Sequence, residues 1–550
     1  MDARVVDQPP SGASAPGILT RERIVARAGF NRWLVPQAAL AIHLCIGMSY
    51  GLSVFWLPLS RALSVGKPVP AACPDMSLLT ALVTTRCDWR VSDLVLVFSI
   101  GIVMLGLSAA LFGGWLERAG PRKAGLAASL CWSGGFLIGA LGVYLHQLWL
   151  IWLGMGLIGG VGLGLGYISP VSTLVKWFPD RRGMATGMAI MGFGGGAMIG
   201  SPLADLLITR FKGPDSAGVW QTLAVMGAGY LVVMLCGAFG YRVPPAGWQP
   251  EGWTPPAARA GLITSGHVHL RDAHKTPQFW LLWAMLCLNV SAGIGVLALA
   301  SPMLQEIFGG ALIGRPEVGF GQLDPGQKAQ VAAIAAGFVG LLSLFNILGR
   351  FFWATLSDRI GRKATYATFF ALGCALYAAA PWAAGIGSQA LFVLFFCVIL
   401  SMYGGGFATI PAYLADVFGT QFVGAIHGRL LTAWSTAGVV GPLVVTAIRQ
   451  AQVEAGVQGA ALYGRTLLIL AGFLAAGFVA NLLVRPLGER WFMTAAERPA
   501  GSAAGDASGG AFGIGRGGLT PAAALAWAAV GLPIAWGVWI TLAKALILFR

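Results

Sequence analysis

Apolar residues run in stretches of about 20 or more, with neither period-2 alternation nor a polar face, and short glycine-rich basic segments separate them. A helix rises 1.5 Å per residue, so about 20 residues cross the roughly 30 Å hydrocarbon core of a bilayer. On that measure the pattern predicts twelve spans, near 35–60, 93–115, 124–145, 149–174, 184–208, 219–241, 278–304, 329–357, 364–384, 389–413, 422–448 and 463–485. Pro521 to Phe549 is a further apolar run with Trp527, Trp536 and Trp539, and it predicts a thirteenth. Backbone groups in lipid must be satisfied within the segment, and the lack of alternation chooses helices over a barrel. The expected fold class is an all-α membrane protein. Its parts are a polar tail 1–33, six helices over 34–241, a central loop 242–276, six helices over 277–486, a flexible Ala/Gly/Ser-rich linker 487–519 and an additional helix 520–550.

Composition sharpens this picture. With 57% hydrophobic and 10% charged residues among 550, and a mean hydropathy of +0.74, a water-soluble globule is excluded. The net charge of +15 sits in short loops rather than on one polar domain, so it reads as topology and implies no nucleic-acid partner. Loops on the side of the N-terminal tail hold 22 Lys and Arg against 10 in the opposite loops, which predicts a cytoplasmic N-terminus in a cell inner (plasma) membrane. The first 33 residues show no cleavable apolar core, so the first span is expected to act as the insertion signal. None of the eight cysteines has the CxxC spacing of a metal site; Cys73 and Cys87 share the first outer loop and are candidates for a disulfide. His267, His269 and His274 read as a solvated loop rather than a metal cluster.

Landmarks recur along the chain. Glu117-Arg118-Ala119-Gly120 returns as Asp358-Arg359-Ile360-Gly361 after 241 residues, as do Pro170 at Pro411 and Gly183/Gly187 at Gly424/Gly428; Phe178 and Pro202 return at Phe418 and Pro442 after 240. Such a parallel repeat predicts two six-helix halves with a cavity between them near mid-membrane. An acid at a helix end with basic residues on the next turn makes a charge lock that can break and reform as the halves rock, which selects Glu117, Arg118 and Arg122, and Asp358, Arg359 and Arg362, as gating candidates.

The segments Gly114-x-x-Glu117-Arg118-x-Gly120-x-Arg122-Lys123 and Ser357-Asp358-Arg359-Ile360-Gly361-Arg362-Lys363 resemble the signature of the major facilitator superfamily. A closer likeness, over residues 31–485, is to the oxalate/formate antiporter family. It rests on Asn31-Arg32-Trp33, on Lys176-Trp177-Phe178-Pro179-Asp180-Arg181-Arg182-Gly183 with the Gly192–Gly196 run, on Asn346-x-x-Gly349-Arg350, and on Gly428-Arg429-Leu430-Leu431-Thr432-Ala433-Trp434. The final segment resembles short single-span companion peptides of such transporters, here fused. The resemblance implies a major facilitator fold of two six-helix halves and secondary transport of small organic anions by alternating access, with no enzymatic activity, cofactor or metal.

Charges at membrane depth mark a pathway or a partner. Arg350 lies eight residues before Asp358, so it sits roughly 12 Å inward from that helix end. In the family that the chain resembles, an arginine at this motif position binds the carboxylate, and a guanidinium fork suits that task. Oxalate-transporting members carry a lysine where Trp434 stands, so the second cation is missing; Arg429 and His427 are the nearest substitutes, with gate anchoring the other reading of Arg429. Tyr50 and Tyr403 either line the cavity or pack the bundle, and His43 either packs or shuttles protons. Of 21 Asp and Glu, only Asp205 sits well inside an apolar run, so no carboxylate relay is evident and the cavity should attract an anion. The expected partners are a small organic anion and the lipid bilayer, with a monomer as the unit. The function expected is a secondary antiporter or symporter of monocarboxylates or oxalate/formate-type anions, with a proton-coupled monocarboxylate symporter or a non-transporting carboxylate sensor as alternatives. The appended helix is expected to stand apart from the cavity.

Overall fold

The computed structural model describes residues 17–545 apart from 28, 66–76, 215, 246, 254–261, 265, 495–496 and 498–519. Among the described residues, thirteen helices are long and apolar enough to cross a membrane. The first half comprises α1 (Arg32–Leu59), α2 (Val91–Ala119), α3 (Pro121–Tyr144), α4 (Leu148–Trp177), α5 (Arg182–Phe211) and α6 (Val219–Gly240). The second comprises α7 (Pro277–Phe308), α8 (Pro325–Ile360), α9 (Arg362–Gly385), α10 (Gln389–Phe418), α11 (Val423–Glu454) and α12 (Ala461–Leu483), and α13 (Pro521–Ala543) follows. Several extend beyond their apolar runs because polar caps carry the helix further. At α8, Asp324 Oδ1 accepts from Gln327 N (2.9 Å) while Gln327 Oε1 accepts from Asp324 N (3.2 Å), which starts the helix four residues before its hydrophobic stretch.

The duplication is visible in the backbone. Gly120 (φ 88°) ends α2 and Gly361 (φ 85°) ends α8, each in the left-handed region that glycine alone enters cheaply, so both halves turn sharply into the next helix at the same repeat position. Helices cross where side chains are absent. A Cβ on Gly349 of α8 would collide with the Ser401 backbone of α10, and one on Gly404 of α10 would collide with Asn346 O of α8. Residues 47–55 of α1 tighten into a 3-10 stretch, and α11 is broken at Leu431, so both helices are irregular at mid-depth.

Loops 117–123, 176–182 and 359–363 lie at one end of the bundle, here called the basic end. It is covered by more than loose loops. Val25 pairs with Val243, Ala26 N donates to Val243 O (2.9 Å), Val268 N donates to Phe418 O (2.9 Å), and Met493 N donates to His267 O (2.8 Å). Within the expected linker 487–519, Phe492 bridges to Val268 and Met493 N donates to His267 O of the central loop. Residues 495–496 and 498–519 of it lie outside the described residues. Cys87 is disulfide-bonded and six other cysteines are free, while Cys73 lies outside the described residues. Two of the three central-loop histidines make separate side-chain contacts: His269 Nδ1 accepts from Arg271 N (3.2 Å), and His274 Nδ1 accepts from Arg429 Nη1 (2.8 Å).

The α8–α10 crossing sets a stability prediction. Gly349→Ala forces a methyl into backbone, and overpacking of this kind costs about 1–3 kcal/mol. Thermal unfolding in detergent should shift downward by about 1–3 °C; an unchanged midpoint would mean that the two helices can separate without cost.

Candidate functional site

Arg350 is fully buried between the halves. Its Nε donates to Asn346 Oδ1 (2.9 Å) one turn earlier on α8, and its Nη1 donates to Ile190 O (3.1 Å) of α5 in the other half. The guanidinium lies 5.8 Å from the Phe193 ring and 5.5 Å from the Phe407 ring, within cation–π range. Its Nη2 has no hydrogen-bond partner. The space is made by glycine: a Cβ on Gly194 would stand 3.0 Å from Arg350 Nε.

Aromatic rings enclose this cation. Trp434, also fully buried, contacts Phe407 (4.7 Å between centroids), Tyr167 (5.2 Å), Phe193 (5.3 Å) and Tyr50 (6.3 Å). The Tyr50 and Tyr403 hydroxyls meet across the halves at 3.4 Å. Tyr167 lies against the His427 ring at 5.9 Å. Four polar groups here are buried and unpartnered besides Arg350 Nη2, namely the Tyr167 hydroxyl, Trp434 Nε1 and both ring nitrogens of His427. Such groups are costly to leave unmet, and most of them are donors, so the arrangement suits a small ligand that supplies acceptor oxygens.

A cavity of about 650 Å³ adjoins the cluster, lined by Tyr50, Gly194 and Asn346 on its floor and reaching up along α1, α5, α7 and α8 to Trp56, Pro202, Ser301 and Ala336. Apart from this floor, the residues just named lie in the parts of their helices farther from the basic end. Among the described residues no Asp or Glu lines it.

The basic end is shut by contacts between halves. Asp358, at the end of α8, accepts from Gly183 N and Met184 N (both 2.8 Å) at the start of α5. Glu117, at the end of α2, accepts from Gly424 N (3.1 Å) at the start of α11 and from Lys176 Nζ (2.5 Å). Each acid thus meets the positive N-terminal end of a helix in the opposite half. Arg362 donates to Asp358 (2.6 Å) and Asp416 (3.1 Å), and Arg182 reaches Asp416 across the interface (3.0 Å).

The sequence candidates separate accordingly. Arg350, Trp434, Tyr50, Tyr403 and His427 gather at the centre; Glu117, Asp358 and Arg362 gather at the closed end. Arg429 is drawn away from the cavity, because its Nη1 donates to Leu270 O (2.6 Å) and His274 in the central loop. Arg122 ties carbonyls of its own half, Ile18 O (2.8 Å) and Phe239 O (3.1 Å), and Arg118 and Arg359 are exposed outside the network. Proximity in sequence to the acids did not bring these three into the lock, since the acids point to helix N-termini instead. His43 holds its ring nitrogens against Ala189 O (2.6 Å) and Tyr167 O (3.3 Å), the packing arrangement of its two readings.

Three cluster residues were missed: Tyr167, Phe193 and Phe407. The repeat itself carried the signal. Tyr167 and Phe407 are 240 apart, and Phe193 and Trp434 are 241 apart, so the rings are equivalent pairs of the duplication. Arg350 breaks that symmetry, for its counterpart is Ala109.

Known proteins place this geometry in context. An oxalate:formate antiporter of Oxalobacter formigenes is 29% identical over 285 residues, 52% of this chain and 59% of that protein, so the chain spans less than two thirds of its length. An apicoplast pyruvate carrier of Toxoplasma gondii is 26% identical, covering 72% of this chain and 80% of that one, and human monocarboxylate transporter 11 is 26% identical over 42% of each. The transporter FucP, solved in an outward conformation, shares the fold at 13% identity with a TM-score of 0.54, covering 82% of this chain and 99% of its own. The Major Facilitator Superfamily profile matches residues 39–442. The chain belongs to that superfamily, and it is a membrane transporter, not an enzyme.

Proposed function

We propose that the protein is a secondary transporter of small organic anions, with Arg350 binding the substrate carboxylate. The observation that carries this reading is the unpartnered Nη2 of a fully buried guanidinium. A cation in a poorly solvated space, lacking a counter-ion, costs several kcal/mol, and an arriving carboxylate removes that cost with charge-assisted hydrogen bonds. Tyr167, Trp434 and His427 then meet the rest of the molecule. The names of the relatives, which include an oxalate:formate antiporter, a pyruvate carrier and a monocarboxylate transporter, agree with a carboxylate.

Alternating access follows from the same geometry. The lock closes the basic end, which the positive-inside bias assigns to the cytoplasm, while the cavity lies toward the opposite face. The Tyr50–Tyr403 pair joins the halves beside the cation and parts to admit the anion. Counterflow of labelled carboxylates in proteoliposomes, with and without a pH gradient, tests the whole reading; no counterflow of any small carboxylate would overturn it, and dependence on the gradient separates symport from exchange.

Three further outcomes are expected. Asp358→Asn removes a charge from a helix N-terminus, an interaction worth about 1 kcal/mol, so a cysteine at Thr186 should be labelled from the basic end roughly five times faster. Equal rates would take Asp358 out of the lock. Arg350→Ala should abolish carboxylate binding in a folded protein, and Arg350→Lys should restore little of it, because an ammonium keeps the charge but loses the fork. Unchanged uptake by the alanine variant removes Arg350 from the site.

The substrate is a monoanion. With Arg429 held by the central loop and Trp434 in place of a second cation, a dianion would keep one carboxylate uncompensated among aromatic faces. Oxalate should therefore compete poorly with a labelled monocarboxylate in the parent and better in Trp434→Lys. Tight competition by oxalate in the parent means that His427 or another group supplies the second positive charge.

A further inference from the structure

The sequence led to the expectation that the appended helix stands apart from the cavity. The structure corrects it: Ile540 and Thr541 of α13 line the cavity. α13 packs on α8 of the second half and on both α5 and α1 of the first, so it lies across the seam where the two halves meet. Its inward face is a narrow stripe, Ala523, Val530, Gly537 and Thr541, spaced seven, seven and four residues apart on one side of the helix. The opposite face, with Leu525, Leu532 and Trp539, is exposed and apolar, as a lipid-facing surface is.

Small residues set both contacts. A Cβ on Gly537 would stand 3.1 Å from Met198 Cγ of α5, and one on Gly340 of α8 would stand 3.2 Å from Thr541 Cγ2. The two contacts therefore tie one helix to opposite halves beside the cavity. An open seam would let lipid tails reach a cavity whose floor presents polar groups that need water or substrate.

We propose that α13 is the side wall of the substrate cavity, sealing the α5–α8 seam against lipid. It is also a strap that must release one half whenever the cavity closes, because rocking changes the distance between Met198 and Gly340 while α13 stays one rigid helix. The strap rests on the alternating-access reading above; the wall does not, so the two are tested separately.

For the wall, single cysteines are placed at Ile540, at Trp539 on the outward face and at Ser343 of α8, which lines the cavity, and treated with a membrane-impermeant thiol reagent. Ile540→Cys should react about ten times faster than Trp539→Cys, and comparably to Ser343→Cys, because only a hydrated thiol ionises. Ile540→Cys as inert as Trp539→Cys, with Ser343→Cys reactive, overturns the wall.

For the strap, the pairs Met198→Cys/Gly537→Cys and Gly340→Cys/Thr541→Cys are oxidised singly and together. Each linked protein is compared with its own reduced form, so that the substitutions themselves cancel; either disulfide alone leaves α13 riding on one half and that ratio of transport rates near one. Both together staple the halves, stop transport reversibly with reductant, and leave carboxylate binding from the cavity side unchanged. Full transport by the doubly linked protein overturns the strap. Loss of binding in that protein as well overturns it too, since the staple would then have distorted the site rather than held one state.

Discussion

A guanidinium held in a low-dielectric interior without a counter-ion is the constraint around which this bundle is arranged. Desolvating such a charge costs several kcal/mol, and folding must offset part of that without using up the binding capacity of the group. Arg350 is met halfway. Asn346 and the Ile190 carbonyl accept two of its hydrogen bonds, and Phe193 and Phe407 offer ring faces to the delocalised charge. None of these partners is an anion, so one nitrogen and the net charge stay available. An acid in the same place would have stabilised the apo protein and competed with the substrate.

The halves supply the enclosure by duplication and the chemistry by departing from it. Tyr167 with Phe407, and Phe193 with Trp434, are repeat-related rings that converge on the interface from both sides. The lock is duplicated as well: Asp358 binds the start of α5 and Glu117 the start of α11. A Cβ on Gly183 would lie 2.9 Å from Asp358 Oδ1, and one on Gly424 would lie 2.7 Å from Glu117 Oε1, which explains a glycine at both equivalent positions. Arginine opposite Ala109 makes the centre one-sided, since the buried positive charge comes from the second half alone.

Much of the fold was legible because lipid demands long uninterrupted apolar runs, and hydropathy reads those directly. Span limits were less so, since caps such as Asp324 extend helices past the apolar stretch. Arg350 was legible for the related reason that a charge at that depth is conspicuous. The remaining cage was not, because Tyr167, Phe193 and Phe407 look like any aromatic in a membrane helix until the repeat offset pairs them. The reach of the gating arginines was also opaque: a cluster of charges in sequence does not reveal that the acids are satisfied by backbone N–H groups of the other half. Nor did composition indicate where α13 would sit, because its sealing stripe is made of small residues that hydropathy cannot distinguish from the rest of the run.

The gate and the site are parts of one helix face. Along α8, Ile347, Arg350, Ala354 and Asp358 recur every three or four residues and meet Gly194, Ile190, Gly187 and Gly183 of α5 in the opposite half. Along α2, Ile102, Ala109 and Glu117 meet Ser435, Gly428 and Gly424 of α11 in the same manner, with Ser435 Oγ donating to Ile102 O (2.6 Å). Close backbone approach at glycines makes each pair slide or separate as a unit, since no flexible side chain lies between to absorb the motion. Drawing Asp358 off the α5 N-terminus therefore strains the Arg350–Ile190 bond about two turns away. On the proposed reading, an anion on Nη2 would compensate the guanidinium that this bond otherwise leaves exposed, and occupancy at the centre would lower the cost of parting the helices at the end.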